Sequence, residues 1–431
     1  MLKILNWSTL STTEKENAIS RPKFKNDIQA IVRTIIKTVK QDKDQALLTL
    51  TREFDGQSLD SIALPQEAIQ SAEIGKDAFN AIEQAIHNIS CYHEAIKPKE
   101  LAVNTVPGVG LQRLYRPIDT VGLYVPGGNN TPLISSVLMQ AIPAKIAGCT
   151  KRILCTPVNK QGQINPHLLV AARLCGIDTI YQLGGAQAIA AMAYGTESVI
   201  KADKIFGPGN SFVTEAKTQV SIDPDGAAID MPAGPSEVMI LANGDANPQF
   251  VAADLLAQAE HGPDSQVILI CEDDAMARSV QTAVTQQYLT LSRQDIIKQA
   301  LTYGAIIICP SLSEQLKVVN AYAPEHLIIN RRDAADLVSD IRSAGSIFLG
   351  QWSAVTMGDY ITGSNHVIPT NGYARNHSSL GTMDFLKAVS VQSISHEGIR
   401  SLGNEAITLA MLEGLDAHAN AVKLRLSILE K

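Results

Sequence analysis

Between residues 121 and 350, short apolar runs alternate with helical stretches, and this alternation constrains the fold more than any other feature of the chain. VGLYV (121–125), RILCT (152–156), TIYQL (179–183) and KIF (204–206) read as strands, with helices at 132–147, 166–175, 186–194 and 210–220. Strands interleaved with helices form a parallel sheet covered on its faces. The segment SIDPDGAAIDMPAGPS (221–236) is rich in Gly, Pro and Asp and interrupts the pattern. A second series follows, with strands EVMIL (237–241), QVILI (266–270), AIIIC (305–309), LIIN (327–330) and SIFLG (346–350). Helices at 248–260, 274–302, 311–321 and 333–341 separate them. The expected class is therefore α/β, with two similar Rossmann-like parallel-sheet domains, although no residue-level repeat proves a duplication.

The flanks read differently. Residues 27–50 and 65–96 carry apolar side chains at helical spacing, so the N-terminal quarter is expected to be helical up to Pro98. Past Gly350 the chain turns polar and loop-like to about residue 380. From Asp384 a helical tail is expected, ending in a helix over 404–429.

At 431 residues the chain exceeds what one core needs, and two or three domains are expected. A net charge of −7 without a long Lys/Arg run argues against a nucleic-acid surface. The first residues lack the apolar core and small-residue cleavage site of a signal peptide. No stretch reaches the roughly 18 apolar residues of a membrane helix, so a cytoplasmic protein with no membrane contact is expected. The six cysteines show no C-x-x-C pairing, and most lie in apolar runs, as buried free thiols of a reducing compartment do.

Several polar groups stand out. Gln258 and His261 share one helix face at i, i+3, and Gly262-Pro263 ends that helix beside them. Such a pair can bind one ion, or be an ordinary histidine near a helix end. Glu325 and His326 precede the strand LIIN, where a carboxylate and an imidazole can face a cleft at a sheet edge or serve structure alone. Asp359, in GDY, is an oxygen-ligand candidate or a plain Asp turn. His366, in the same stretch, reads as structural. Glu413 and His418 lie on the late helix, able to line a broad pocket or merely to decorate an amphipathic surface. Glycine-rich turns occur at 126–128, 184–185, 207–210 and 232–235, next to expected strands. They suit a ligand at a sheet edge. None matches G-x-G-x-x-G, and no G-K-[ST] is present.

Taken together, VGLYVPGG (121–128), GGAQAIAAMAYGTES (184–198), KIFGPGN (204–210), DGAAIDMPAGPSEV (225–238), LLAQAEHGPDSQ (255–266), APEHL (323–327), GDY and NHVIPT (358–370), SSLG (378–381) and the Glu413/His418 tail closely resemble the histidinol dehydrogenase family. The likeness runs over nearly the whole chain, in order. It implies oxidation of L-histidinol through L-histidinal to L-histidine, with two NAD reduced, one Zn2+ per subunit and a homodimer whose active site is shared between subunits. Carried over position by position, Gln258, His261, Asp359 and His418 match the zinc ligands, and Glu325 and His326 the catalytic pair. Ser236 and Glu413 match substrate contacts, together with Gln258, His261, His326, Asp359 and His418. Tyr124, Gln187 and Asn210 match nucleotide contacts. Departures fall only at flanking positions: the two asparagines at 129–130, residues 354–357 and His377.

The corresponding domain division is an N-terminal arm (1–25), a first α/β domain with the metal and catalytic residues (26–120 with 237–380), a second on the nucleotide side (121–236), and a C-terminal helical tail (381–431) contacting the partner subunit. One rival chemistry is an aldehyde-dehydrogenase-like thiohemiacetal on Cys149 or Cys155. The other reading is a non-enzymatic α/β ligand-binding protein.

Overall fold

The computed structural model describes residues 2–22, 28–128, 131–232 and 234–430. Asn129 and Asn130, and Ala233 of the fourth glycine-rich turn, lie outside the described residues. Two parallel sheets form its centre. The five-stranded sheet runs in the order 228–229, 204–206, 120–124, 151–155, 179–181. The six-stranded sheet runs 3–6, 305–308, 266–271, 237–242, 326–330, 346–349. Within each αβ series the spatial order is third, second, first, fourth, fifth, so the two units share one topology.

Successive strand residues face opposite sides, and both sides are covered. Val238 and Ile240 pack under Val251, Leu255 and Val280 on one face. Met239 and Leu241 pack with Val318 and Tyr322 on the other. Each such buried side chain contributes roughly 1.5–3 kcal/mol.

Four expectations are corrected by this packing. The first concerns the arm: Lys3–Asn6 pairs in parallel with Ala305–Ile308 and completes the six-stranded sheet. A four-residue edge strand with only two apolar side chains, Ile4 and Leu5, is too short to carry a periodic signal. Secondly, the helices in 26–120 do not belong with the metal-side sheet. The helix Ile28–Phe54, broken at Lys43 where φ is 48°, packs Val32, Ile35, Val39 and Leu47 against Ile153, Tyr181 and Ile189 of the five-stranded unit. The helix Lys76–Ala95 covers the opposite face of that unit through Ile82 and Ile89.

Thirdly, the tail is not helical throughout. Leu386–Ile394 is a strand, antiparallel to Val109–Pro117, which pairs in turn with Leu101–Val106. Its Val389-Ser390-Val391-Gln392 alternation has the period of two that marks a strand. Finally, the expected helix over 404–429 is two helices, His396–Leu412 and Asp416–Leu429, which turn at Gly414.

A buried histidine adds a testable property of the five-stranded unit. His93 is fully buried, and burial pushes its imidazole down to about 4 from 6.5. Between those values the unfolded chain takes up a proton that the folded chain refuses. Stability supplied by neutral His93 is therefore complete above pH 6.5 and lost as pH falls toward 4, at about 1.4 kcal/mol per pH unit. Urea denaturation of wild type and His93→Gln at pH 7.5, 5.5 and 4.5 is expected to give stability differences that change with pH over that window. Curves that stay parallel would refute this role.

Candidate active site

The carboxyl end of the five-stranded sheet opens into a cleft of about 920 Å³. It lies at the switch point between 120–124 and 204–206, where the chain leaves neighbouring strands in opposite directions, the usual ligand position of such sheets. Tyr124, Gln187 and Asn210 all line it. Tyr124 is buried, and its hydroxyl accepts the Gly185 N–H at 3.0 Å, which fixes the Gly184-Gly185 turn. Gln187 sits in the first turn of the helix Gly185–Tyr194. Asn210 caps the helix Ser211–Ile222 by accepting from the N–H groups of Phe212 and Val213.

Gly207, with φ 119°, passes so close to the Tyr124 carbonyl that no side chain fits there. A buried ion pair grips it from both ends. Lys217 Nζ donates to the Gly207 carbonyl at 2.8 Å, and Asp230 accepts its N–H at 2.9 Å. Lys217 and Asp230 themselves meet at 2.5 Å.

The second set of groups gathers at the amino edge of the six-stranded sheet. A helix that follows a strand returns antiparallel to it, so its C-terminal end arrives where the strands begin. The helix Pro248–Ala259 delivers Gln258 and His261 in this way, beside Glu325 and His326 at the start of the strand His326–Asn330. Asp359 is not in a loop, as expected, but on the helix Val355–Tyr360. Gly358 lets that helix lie against Phe348, since a Cβ there would meet the ring at 2.6 Å.

Glu325 and His326 are both buried. Glu325 Oε2 accepts the Glu237 N–H at 2.6 Å and faces Gln258 Nε2 at 3.5 Å. Burial raises the Glu325 carboxyl above its ordinary range, against the opposing pull of His326. His326 Nδ1 lies 3.0 Å from the Glu237 carbonyl and 3.3 Å from Glu325 Oε2. Both partners can accept, so Nδ1 carries the hydrogen and Nε2 is left as the reactive nitrogen. Among the described residues Nε2 is buried without a hydrogen-bond partner, 3.5 Å from Asp359 Oδ1. Burial disfavours the His326 imidazolium, but Glu325 and Asp359 outweigh it and raise the group. Burial likewise acts to raise Asp359, and His326, His366 and His261 hold it below the usual carboxylate range.

The two sets meet. His261 and Tyr360, which flank the Asp359 cluster, line the same cleft as Tyr124, Gln187 and Asn210. Ser236 is half-buried, directly before the strand Glu237–Ala242. Glu413 and His418 are exposed on the tail and are not among the residues that line the cleft.

Sequence reasoning missed several neighbours. His366, read as structural, hydrogen-bonds the Asp359 carbonyl at 2.9 Å through Nδ1. Phe54 and Asp55, at the end of the first long helix, line the cleft with Arg293. Glu237 opens an otherwise apolar strand, and its position there gave no hint of its contacts.

The sequence model of the histidinol dehydrogenase family matches residues 19–426. A histidinol dehydrogenase of Legionella pneumophila strain Philadelphia 1 is 60% identical over 429 residues, covering 100% of both chains. One of Aliivibrio fischeri is 48% identical, covering 99% of this chain and 97% of its own. The crystal structure of the Elizabethkingia anophelis histidinol dehydrogenase superposes with a TM-score of 0.95 at 43% identity, covering 100% of this chain and 99% of that one. The chain belongs to the histidinol dehydrogenase family.

Family membership agrees with the fold class expected from the strand–helix alternation. The cysteine rival finds no support in the site. Cys149 and Cys155 are buried, and neither lines the cleft. Burial pushes the Cys149 thiol up to about 11 and Cys155 still higher, away from the thiolate a nucleophile needs. Among the described residues no helix is long and apolar enough to cross a membrane.

Proposed function

We propose that this chain is a zinc-dependent, NAD-linked histidinol dehydrogenase that oxidises L-histidinol through L-histidinal to L-histidine, the closing steps of histidine biosynthesis. The observation that carries the reading is the single cleft joining Tyr124, Gln187 and Asn210 to His261, beside the buried Glu325–His326 pair and the partly buried Asp359. Tyr124, Gln187 and Asn210 would hold NAD, which would supply the hydride acceptor.

The groups at the amino edge suit a metal ion. Three or more His, Cys, Asp or Glu do not converge as a metal site among the described residues of one chain, yet the proposed set includes an amide and a distant histidine. Gln258 turns Nε2 toward Glu325, which leaves its carbonyl oxygen for an ion. The charges of Asp359 and His261 act on each other, and Asp359 stays ionised despite burial. Gln258, His261 and Asp359, with His418 from the partner subunit, would hold zinc, a borderline cation suited to mixed N and O donors. The ion would supply charge that fixes the imidazole and amine of the substrate.

The chain's own residues then do the proton work. His326, in its neutral form, accepts the hydroxyl proton at Nε2 as hydride leaves carbon. For the second oxidation, water must add to the aldehyde, and Glu325 takes the proton from that water. Its raised carboxyl makes it a stronger base than an exposed glutamate. Ser236 and Glu413 are assigned to hold the substrate.

The active unit is proposed to be a homodimer. The three-stranded sheet and the tail helices leave Leu412 79% and Ile428 70% exposed, and a second copy would cover them. The direct test follows NADH formation with L-histidinol. Two NADH per substrate are expected, with turnover abolished by a chelator, an unchanged circular dichroism spectrum, and recovery on adding zinc. One NADH per substrate would mean that the reaction stops at the aldehyde. Full turnover in metal-free protein would remove zinc from the proposal.

A further inference from the structure

We infer that Arg21, in the N-terminal segment, is a positioning residue for the Glu325–His326 pair, acting through Glu237. The inference rests on the reading of that pair as catalytic. Glu237 is the residue on which the pair hangs. Its N–H binds Glu325 Oε2 at 2.6 Å, and its carbonyl binds His326 Nδ1 at 3.0 Å. The position of this one peptide therefore sets both the aim of the carboxylate and the tautomer of the imidazole.

The Glu237 side chain is buried, and three donors hold it. Arg21 Nε meets Oε1 at 2.5 Å and Arg21 Nη2 meets Oε2 at 2.8 Å, a bidentate fork. The Asn371 N–H meets Oε1 at 3.0 Å.

The same guanidinium also holds the other chain segment that enters the site. Nη2 donates to the carbonyls of Tyr322 at 3.0 Å and Ala323 at 3.4 Å, and the guanidinium lies over the Tyr322 ring at 4.0 Å. Ala323 has φ 55°, a left-handed conformation that a residue with a Cβ rarely adopts unless its surroundings hold it. Two residues later the chain reaches Glu325. Arg21 thus clamps the beginnings of two adjacent parallel strands, in which Val238 stands opposite His326. Without it, a buried carboxylate loses its main counter-charge, and the peptide that aims both groups is free to shift. A misplacement of about 1 Å is enough to cost about 10²-fold in rate. Lysine can substitute only in part, because a point charge does not span both carboxylate oxygens and two carbonyls.

The experiment compares Arg21→Met, Arg21→Lys and Arg21→Gly with wild type and His326→Asn, by NADH formation from L-histidinol. For Arg21→Met a kcat loss of about 10²-fold is expected, with KM for histidinol within about threefold of wild type. Arg21→Lys is expected to recover only part of it. Guanidinium ion added to Arg21→Gly is expected to raise kcat, and not to raise that of wild type. Rates are expressed per folded molecule, from circular dichroism and a denaturation curve. Wild-type kcat in Arg21→Met, or a loss that only tracks the folded fraction without guanidinium rescue, overturns the inference while His326→Asn remains inactive. An active His326→Asn overturns the catalytic-pair reading, and the inference with it.

Discussion

Mixing two inactive variants, His418→Ala and His261→Ala, is expected to yield mixed dimers that each regain up to about half the activity of a wild-type dimer. His261 lines the cleft of its own subunit, whereas His418 is exposed and does not. The tail that carries His418 is joined to the rest through the antiparallel sheet of 101–106, 109–117 and 386–394, which lies outside both parallel sheets. Its two helices pack mainly on each other, with Leu426 and Val422 seated on Gly403. If the partner's tail completes each site, a mixed dimer has one site with both lesions and one with none. If each tail serves its own subunit, every site keeps one lesion. Subunit exchange is checked first by a tagged pull-down. No recovery in exchanged dimers would exclude a shared site.

His326→Asn is expected to lower both oxidations by about 10²–10⁴-fold, the usual worth of a positioned base. Glu325→Gln is expected to impair histidinal oxidation more than histidinol oxidation. An amide cannot take a proton from water, but its oxygen can still accept the Glu237 N–H that now reaches Oε2 at 2.6 Å. The scaffold therefore survives the change and the chemistry does not. The carboxylate also helps to raise the imidazole of His326, so its loss makes His326 less basic and leaves some effect on the first step. Rates with histidinol and with histidinal, measured separately for each variant, decide the matter. Equal losses at the two steps in Glu325→Gln would transfer the water-activating role to another group.

Much of this molecule was legible in its sequence, for one reason. Buried parallel strands need near-continuous apolar runs, and the helices between them need a period of 3.6, so the central elements from 121 to 350 announce themselves locally. The glycine-rich turns were equally readable. Gly207 marks a place where backbone must approach backbone, and that requirement is written into residue type. The family resemblance rested on these same turns and on the APEHL and QAEHGPD runs.

What the sequence could not carry is which distant segments meet. The strand at 3–6 was invisible because an edge strand of four residues borrows its stability from Ala305–Ile308. The long helices before residue 100 have apolar faces that fit either sheet, and only packing assigned them to the five-stranded one. The site is likewise tertiary. Gln258, Glu325 and Asp359 are far apart in the chain and converge because each arrives at the amino edge of one sheet, by a returning helix, the residue just before a strand and a short helix. Residue type marked these groups as capable of acid–base or metal chemistry. The contacts that decide it, above all the Glu237 peptide beneath His326 and the Arg21 guanidinium 216 residues away in the chain, depend on long-range packing that no local pattern encodes.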